Sequence, residues 1–187
     1  MKLTVAVDWQ VDFANGTLGN PAVVAADKRV AERIRRNAKQ GSLFVQTYDT
    51  HHDNYMNTKE GKYLPIIHCV EGTPGWEFYG ETAKALDEID DIRRYRVHKA
   101  TFAMSPADML DVLEWLRLNG IKTTDITHIE FVGTVSNICV ISNMCVFQGA
   151  FPNAVIEVNP NLIISNYPPA HQAVLEVMKT LQVQFID

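Results

Sequence analysis

Cys139 stands where a predicted strand ends and a predicted helix begins, and a thiol in that position can act as a nucleophile. The apolar run 129–132 is typical of a β-strand, it ends at Gly133, and the helix-capping residue types Ser136 and Asn137 follow. In the first turn of a helix, unpaired backbone N–H groups and the helix dipole favour an anion. We therefore expect a lowered thiol pKa at Cys139. The alternative is that Cys139 is one more small, buried apolar side chain.

Polar residues also follow three other predicted strands of the chain, of which the third, 94–97, has Arg at its polar positions. They are Asp8 after the run 3–7, Asp49 and His51 after the run 43–48, and Lys99 after the run 94–97. In open parallel sheets, ligands bind outside the carboxyl ends of the strands. If these runs are parallel strands, all of these residues converge with the turn before Cys139 on one crevice.

Asp8, Lys99 and Cys139 together suit nucleophilic catalysis. A thiolate needs a nearby cation to hold it and a proton acceptor to remove its proton, and Lys99 and Asp8 can supply these. Taken singly, Asp8 is typical of a helix cap or turn, and Lys99 is typical of a solvated lysine. Their joint placement at strand ends favours catalysis. The backbone N–H groups from Val135 to Cys139 suit an oxyanion, which acyl transfer requires.

The long segment 49–80 is rich in Gly, Pro, Asn and His and contains a candidate metal site. Asp49 and His51 lie two residues apart, on the same side of an extended segment, and His68 follows after a long excursion. One carboxylate with two imidazoles is a common ligand set for zinc or iron that leaves positions open for water or substrate. The alternative is that these histidines are ordinary loop residues. Further ligand candidates in the segment are His52, Asp53 and Glu60.

Short apolar runs alternate with amphipathic segments, which predicts an α/β fold with a parallel sheet and helices on both faces. The predicted strands are 3–7, 43–48, 94–97, 129–132, 154–158 and 183–186, and the predicted helices include 23–34, 109–116, the segment after residue 139, and 174–181. No GxGxxG and no GxxxxGK[ST] sequence occurs, so we expect neither a dinucleotide nor a P-loop nucleotide as ligand.

Composition bounds the class of protein. The 187 residues are 47% hydrophobic and 21% charged, which suits one globular domain over residues 1–187. A net charge of −5 without a basic run argues against nucleic acid or an anionic membrane as a partner. No apolar run approaches transmembrane length, and no secretory apolar region follows Met1. The cysteines, Cys69, Cys139 and Cys145, therefore suggest reduced thiols in a cytoplasmic protein.

Five ordered motifs extend over nearly the whole chain. They are Asp8-x-Gln10-x-Asp12-Phe13, Asp49-Thr50-His51, HCVEGTPGWEF from His68 to Phe78, Lys99 with Phe102, and GTVSNICV from Gly133 to Val140. They resemble the motifs of the isochorismatase-like cysteine hydrolases, and among these most closely the nicotinamidases (pyrazinamidases). The corresponding family motifs include D-x-Q-x-D-F, D-x-H, H-C-x-x-G-T-x-G-x-E-F and G-x-x-T-D-x-C-V.

The resemblance implies a fold and a nucleophile. It implies a single-domain, three-layer αβα sandwich with a six-stranded parallel sheet, and a triad of Asp8, Lys99 and Cys139. It also implies a cis peptide between Thr134 and Val135, which turns the Val135 N–H toward the oxyanion together with the Cys139 N–H. Cys139 would attack a carboxamide carbon, ammonia would leave, and water would cleave the resulting thioester.

The resemblance further implies one divalent metal ion, zinc being expected and manganese or iron being alternatives. Asp49, His51 and His68 would hold this ion, and the ion would bind the pyridine nitrogen of nicotinamide. The fourth ligand stays open among Glu60, Asn57, His52 and water. The resemblance also implies a substrate pocket, to which we assign Phe13, stacked on the ring, with Gln10, Trp76 and Phe102.

Three departures from the family pattern leave the substrate open. Ser136-Asn137 replaces Thr-Asp, Ile66-Ile67 replaces Pro-Pro before the second histidine ligand, and Trp76 replaces a small residue. The alternatives are a different amide, a carbamoyl compound or a vinyl ether as substrate, or a non-catalytic relative. The expected partner is a small-molecule amide. A homo-oligomer is a further alternative, for which the apolar residues Phe147, Phe151 and Tyr167 could serve, although each could equally pack inside.

Overall fold

A computed structural model describes residues 1–187. Its strands are β1 (Lys2–Val7), β2 (Leu43–Asp49), β3 (Arg94–Lys99), β4 (His128–Thr134), β5 (Val155–Ile164) and β6 (Gln184–Phe185). Its helices are α1 (Val11–Ala14), α2 (Pro21–Lys39), α3 (Lys59–Tyr63), α4 (Gly80–Asp87), α5 (Pro106–Leu118), α6 (Ile141–Ala150) and α7 (Pro168–Thr180). The strands form one parallel sheet in the order β3-β2-β1-β4-β5-β6, which confirms the predicted α/β fold class.

Both faces of the sheet are buried, because successive side chains of a strand point to opposite faces. Leu3, Val5 and Val7 of β1 belong to a core that α5, α6 and α7 cover. Ala6 belongs to a second core, which α2 and α4 cover. This explains why the central strands are near-continuous apolar runs in the sequence, as is usual for parallel sheets between two helical layers.

The order of the strands reverses at β1, which lies between β2 and β4. In open α/β sheets, a crevice forms outside the carboxyl ends of the strands at such a switch point. Asp8 directly follows β1, and the turn that carries Cys139 directly follows β4. The topology therefore brings these two residues to the same crevice.

Strand β5 is longer than the predicted 154–158. It continues through Asn159-Pro160-Asn161, which looks like a strand terminator in the sequence, to Ile164. The register with β4 shifts at this point, since Phe131 pairs with Val158 but Gly133 pairs with Ile163. A β-bulge of this kind accommodates a proline that cannot donate to a regular ladder.

Helix α4 was not predicted from the sequence. The carboxylate of Asp27 in α2 accepts hydrogen bonds from the backbone of Glu81 at 2.7 Å and Thr82 at 3.0 Å, and it also accepts from Trp9 Nε1 at 3.0 Å. The N-terminus of α4 is therefore capped by a residue more than fifty positions earlier, which a local pattern cannot indicate. None of the helices combines the length and the apolar character that a membrane span requires.

Two of the three aromatic residues considered for contacts between copies lie in the core. Phe147 and Phe151 are buried, whereas Tyr167 is exposed. The ring of Phe147 contacts Phe131 of the sheet edge-on, at a centroid distance of 5.6 Å. The first two rings therefore stabilise the fold of the chain itself.

Candidate active site

The nucleophile turn begins where β4 passes closest to β1. Gly133 has a φ of +136°, and a Cβ there would lie 2.2 Å from the carbonyl oxygen of Val7, so only glycine fits. The Thr134–Val135 peptide bond is cis, as the resemblance implied. A π-helical turn, Ser136–Val140, then leads into α6 and carries Cys139, which is buried.

Asn143 in α6 fixes the position of this turn, and sequence analysis did not single it out. Its Nδ2 donates to the carbonyl oxygens of Cys139 at 2.8 Å and Phe102 at 3.0 Å, while its Oδ1 accepts from Met104 N at 2.8 Å. The side chain is fully buried. Asn143 therefore joins the nucleophile turn to the segment that follows β3 and Lys99.

Asp8 and Lys99 form a fully buried ion pair, with Oδ2 and Nζ 2.7 Å apart. Thr47 in β2 donates to the other carboxylate oxygen of Asp8 at 2.7 Å. Burial raises the pKa of Asp8, although the charge of Lys99 opposes the shift. Burial also disfavours the ammonium form of Lys99, but the negative charges around it outweigh this and raise the pKa of Lys99. The pair places the Asp8 carboxyl group, held by Lys99, as the candidate proton acceptor for the thiol.

The expected lowering of the thiol pKa is wrong. Burial raises the pKa of Cys139 well above its ordinary value, the charge of Lys99 opposes the shift, and the carboxylates of Asp8 and Asp49 increase it. Desolvation disfavours a thiolate at a fully buried position, and here it outweighs the effect of the helix start. Cys139 is therefore a neutral thiol at rest and needs a base when it reacts. Asp8 is close enough to influence the pKa of this thiol and is the candidate for that base.

The predicted metal ligands lie together at the other end of the crevice. Ligand atoms of Asp49, His51, Glu60 and His68 all lie within 4.8 Å of one another. Asp49 Oδ2 lies 3.2 Å from His51 Nε2 and 3.3 Å from His68 Nε2, and Glu60 Oε1 lies 3.7 Å from His68 Nε2. Glu60 on α3 is thus the fourth residue of the cluster. His52, another candidate, is exposed and lies beside Glu71 instead.

The cluster fits a divalent cation. His68 Nδ1 lies 2.7 Å from the carbonyl oxygen of Ile66, so this nitrogen carries the proton and Nε2 presents a lone pair to the cluster. His51 Nε2 and Asp49 Oδ1 are buried without a hydrogen-bond partner. Burial and the charge of Asp49 raise the pKa of Glu60, as expected for two carboxylates that face one another without a cation. Two imidazoles and two carboxylates are ligands typical of zinc, manganese and iron.

Asp12 connects the segment that carries His68 with the turn that follows α1. Its Oδ2 accepts from the backbone N–H of Cys69 at 2.7 Å, which fixes the residue directly after His68. Its Oδ1 accepts from Thr17 N at 3.1 Å. A Cβ at Gly75 would lie 2.3 Å from this carboxylate, so the second glycine of the His68–Phe78 motif is required by close approach.

A cavity of about 210 Å³ connects the nucleophile with the metal cluster. This volume is small for a ligand pocket, which indicates a substrate with few non-hydrogen atoms. Predicted residues that line it are Phe13, Asp49, Glu60, His68, Phe102, Thr134, Val135 and Cys139. Sequence analysis missed Leu18, Asn20, Leu64 and Asn166, and the turn residue Ile138, which also line it.

Gln10 and Trp76, which we assigned to the substrate pocket, do not line this cavity. Gln10 Nε2 donates to the carbonyl oxygens of Asp49 and Trp76, both at 2.8 Å, and Gln10 Oε1 accepts from Asp49 N at 2.8 Å. Its amide is therefore fully used in holding the end of β2. The indole of Trp76 donates to Thr50 Oγ1 at 3.0 Å and packs against Tyr48.

Comparisons with known proteins identify relatives of this fold. Residues 2–186 match the model of the isochorismatase domain. No curated protein matches the sequence. Among solved structures, the pyrazinamidase/nicotinamidase from Streptococcus mutans superimposes with a TM-score of 0.82 at 23% identity and 100% coverage of both chains. The pyrazinamidase of Pyrococcus horikoshii in complex with zinc gives 0.78 at 22% identity, covering 100% of this chain and 98% of that one.

A third solved structure, the N-carbamoylsarcosine amidase from Thermoplasma acidophilum, has a TM-score of 0.71 at 19% identity and covers 96% of this chain and 92% of that one. At such identities the likeness is one of fold.

Proposed function

Since this chain belongs to the isochorismatase family, we propose that it is a metal-assisted cysteine amidohydrolase that converts nicotinamide and water into nicotinate and ammonia. The observation that carries the proposal is one small cavity lined by Cys139 and by the ligand candidates Asp49, Glu60 and His68. A planar ring with a carboxamide on one side and a lone pair on the other matches this polarity. Phe13, Leu18, Leu64 and Phe102 provide the apolar walls.

In the first half of the reaction, the sulfur of Cys139 attacks the carboxamide carbon while Asp8 takes the thiol proton. The Val135 N–H has no acceptor within the protein and is available to the oxyanion together with the Cys139 N–H. Asp8 then gives its proton to the departing ammonia, and a thioester of Cys139 remains. Lys99, 2.7 Å from Asp8, holds this carboxylate in place throughout.

In the second half, Asp8 removes a proton from water, and the resulting nucleophile cleaves the thioester to release nicotinate and the Cys139 thiol. Asp49, His51, Glu60 and His68 would hold the divalent ion. When bound, this ion supplies a Lewis-acidic position that orients a lone pair of the substrate.

The chemistry of the site distinguishes the proposed function from the alternatives that the sequence left open. A vinyl-ether hydrolase does not need a cysteine nucleophile, and a non-catalytic relative does not need a buried Asp8–Lys99 pair beside a thiol. A metal-free carbamoyl amidase does not need four converging ligands. The complete triad together with the complete ligand cluster therefore favours the metal-assisted amidase.

Ammonia release from nicotinamide tests the proposal. The protein is supplied with zinc, manganese or iron and compared with Cys139→Ala and with Cys145→Ala, whose cysteine is exposed and lies outside the cavity. We expect release that is lost in Cys139→Ala and retained in Cys145→Ala. Absence of release with every metal from folded protein would overturn the assignment of nicotinamide, and release by Cys139→Ala would overturn the mechanism.

A further inference from the structure

Asn20 carries a hydrogen-bond donor that the described mechanism does not use. The residue precedes α2 and caps it, since its Oδ1 accepts from Ala22 N at 2.9 Å. Because a backbone N–H can only donate, the oxygen of this amide must face Ala22, and the NH₂ group faces the other way. Nδ2 is buried and has no acceptor within the protein.

Asn20 also lines the cavity that contains Cys139 and the metal cluster. The residue is 9% exposed, and its backbone N–H donates to the carbonyl oxygens of Phe13 and Ala14 at 3.2 and 2.9 Å. Its position is therefore fixed at both the backbone and the side-chain oxygen. A donor that is buried, fixed and unpaired is costly to the protein unless a ligand supplies an acceptor.

The other polar side chains that line the cavity are those of the metal cluster, Thr134, whose Oγ1 donates to the carbonyl oxygen of Ile164, and Asn166, which is exposed to solvent. The N–H groups of Val135 and Cys139 serve the reacting carbonyl, and the metal cluster serves one lone pair on the far side of the ring. Nicotinamide has no further acceptor, so it would leave the amide of Asn20 unpaired. A ring with a second acceptor atom would pair with it.

We propose that Asn20 is a specificity-determining residue that donates a hydrogen bond to a second ring acceptor of the substrate. The preferred substrates are then small heteroaromatic carboxamides with two ring acceptors, one directed at the metal cluster and one at Asn20. The inference rests on the proposed amidohydrolase function and adds which carboxamides the enzyme prefers.

Diazine carboxamides test this inference. Pyrazine-2-carboxamide, pyridazine-4-carboxamide and pyrimidine-5-carboxamide all keep the ring nitrogen of nicotinamide and add a second one at different positions. For each, the measured quantity is kcat/KM relative to nicotinamide, in the metal-loaded wild type and in Asn20→Ser. Serine still caps α2 but is too short to reach the same acceptor, so the variant keeps the helix start. Asn20→Asp, which keeps the cap and replaces the donor with an acceptor, is the second variant.

The control is Asn159→Ser, because Asn159 Oδ1 also accepts from a nearby backbone N–H, that of Asn161, but the residue lies outside the cavity. We expect the preference for at least one diazine to fall about tenfold in Asn20→Ser, and further in Asn20→Asp. Intrinsic reactivity cancels in this comparison, and Asn159→Ser should leave every ratio unchanged.

Unchanged ratios for all three diazines, with hydrolysis intact, would overturn the role of Asn20 and leave the proposed function standing. Failure of the wild type to hydrolyse any of the four carboxamides would overturn the proposed function, and the role of Asn20 with it. The two failures are therefore distinguishable.

Discussion

Replacing Gln10 by methionine should destabilise the end of β2, where Asp49 is the last residue. Methionine has a similar length and no polar atoms that can replace the amide. The change removes three hydrogen bonds of 2.8 Å, two donated by Nε2 and one accepted by Oε1. At about 1 kcal/mol for each bond, the free energy of unfolding should fall by about 3 kcal/mol.

Urea unfolding measures this loss. With an m-value of about 2 kcal/mol/M, the midpoint should fall by about 1.5 M. The matched control is Gln148→Met, because Gln148 Nε2 makes a single hydrogen bond, to the carbonyl oxygen of Leu181 at 2.8 Å, far from the site. Its midpoint should therefore fall by about 0.5 M.

The same substitution should weaken metal binding, because Asp49 is a ligand candidate and Gln10 holds its backbone on both sides. We expect the affinity for zinc to fall about tenfold, as is typical when the partners of a ligand are removed. KM for the substrate at saturating metal should stay the same. An unchanged unfolding midpoint, or a raised KM with unchanged stability, would refute the role of Gln10 in holding the end of β2 and would favour its assignment to the substrate pocket.

Three further outcomes can be measured by urea unfolding. Gly133→Ala should fail to reach the native state, because the new Cβ would meet a backbone oxygen at 2.2 Å; a native midpoint would contradict this. Ser105→Ala should lose about 1 kcal/mol with the capping box of α5, and an unchanged midpoint would argue against it. Although burial opposes it, hydrogen bonds to Glu130 and Glu157 raise the pKa of Lys2. The Lys2 ammonium should therefore stabilise the fold fully below its ordinary pKa of 10.5, and this stabilisation should be lost as the pH rises through the raised pKa. The difference in free energy of unfolding between the wild type and Lys2→Met should therefore shrink at alkaline pH rather than grow.

The sheet and the convergence of the triad could be predicted because both depend on local patterns. An apolar run followed by a polar residue marks the carboxyl end of a strand, and parallel strands place those ends together. This pattern is sufficient to locate Asp8, Lys99 and Cys139 from the sequence alone. It located Asp49 and His51 for the same reason, since both follow β2.

The parts that could not be predicted depend on contacts between distant segments. Asn143 and Asn20 look like ordinary polar residues of helices in the sequence, and only the packing shows that one fixes the nucleophile turn and the other faces the cavity. Gln10 was misassigned because its motif is compatible with a ligand contact or with a backbone clamp. The thiol pKa of Cys139 was predicted in the wrong direction, since burial in the turn after β4 outweighs the effect of the helix start.

The charged groups of the crevice explain why the nucleophile and the metal cluster lie close together. Lys99 Nζ lies 2.7 Å from Asp8 and 3.6 Å from Asp49, and the register that pairs Asp49 with Lys99 in β2 and β3 sets this geometry. With Glu60, the crevice holds three carboxylates and one ammonium, which leaves two negative charges when the imidazoles and the thiol are neutral. Buried charges need compensation. One divalent cation at the cluster would balance them and leave Lys99 to Asp8, which is the arrangement that a base beside a neutral thiol requires.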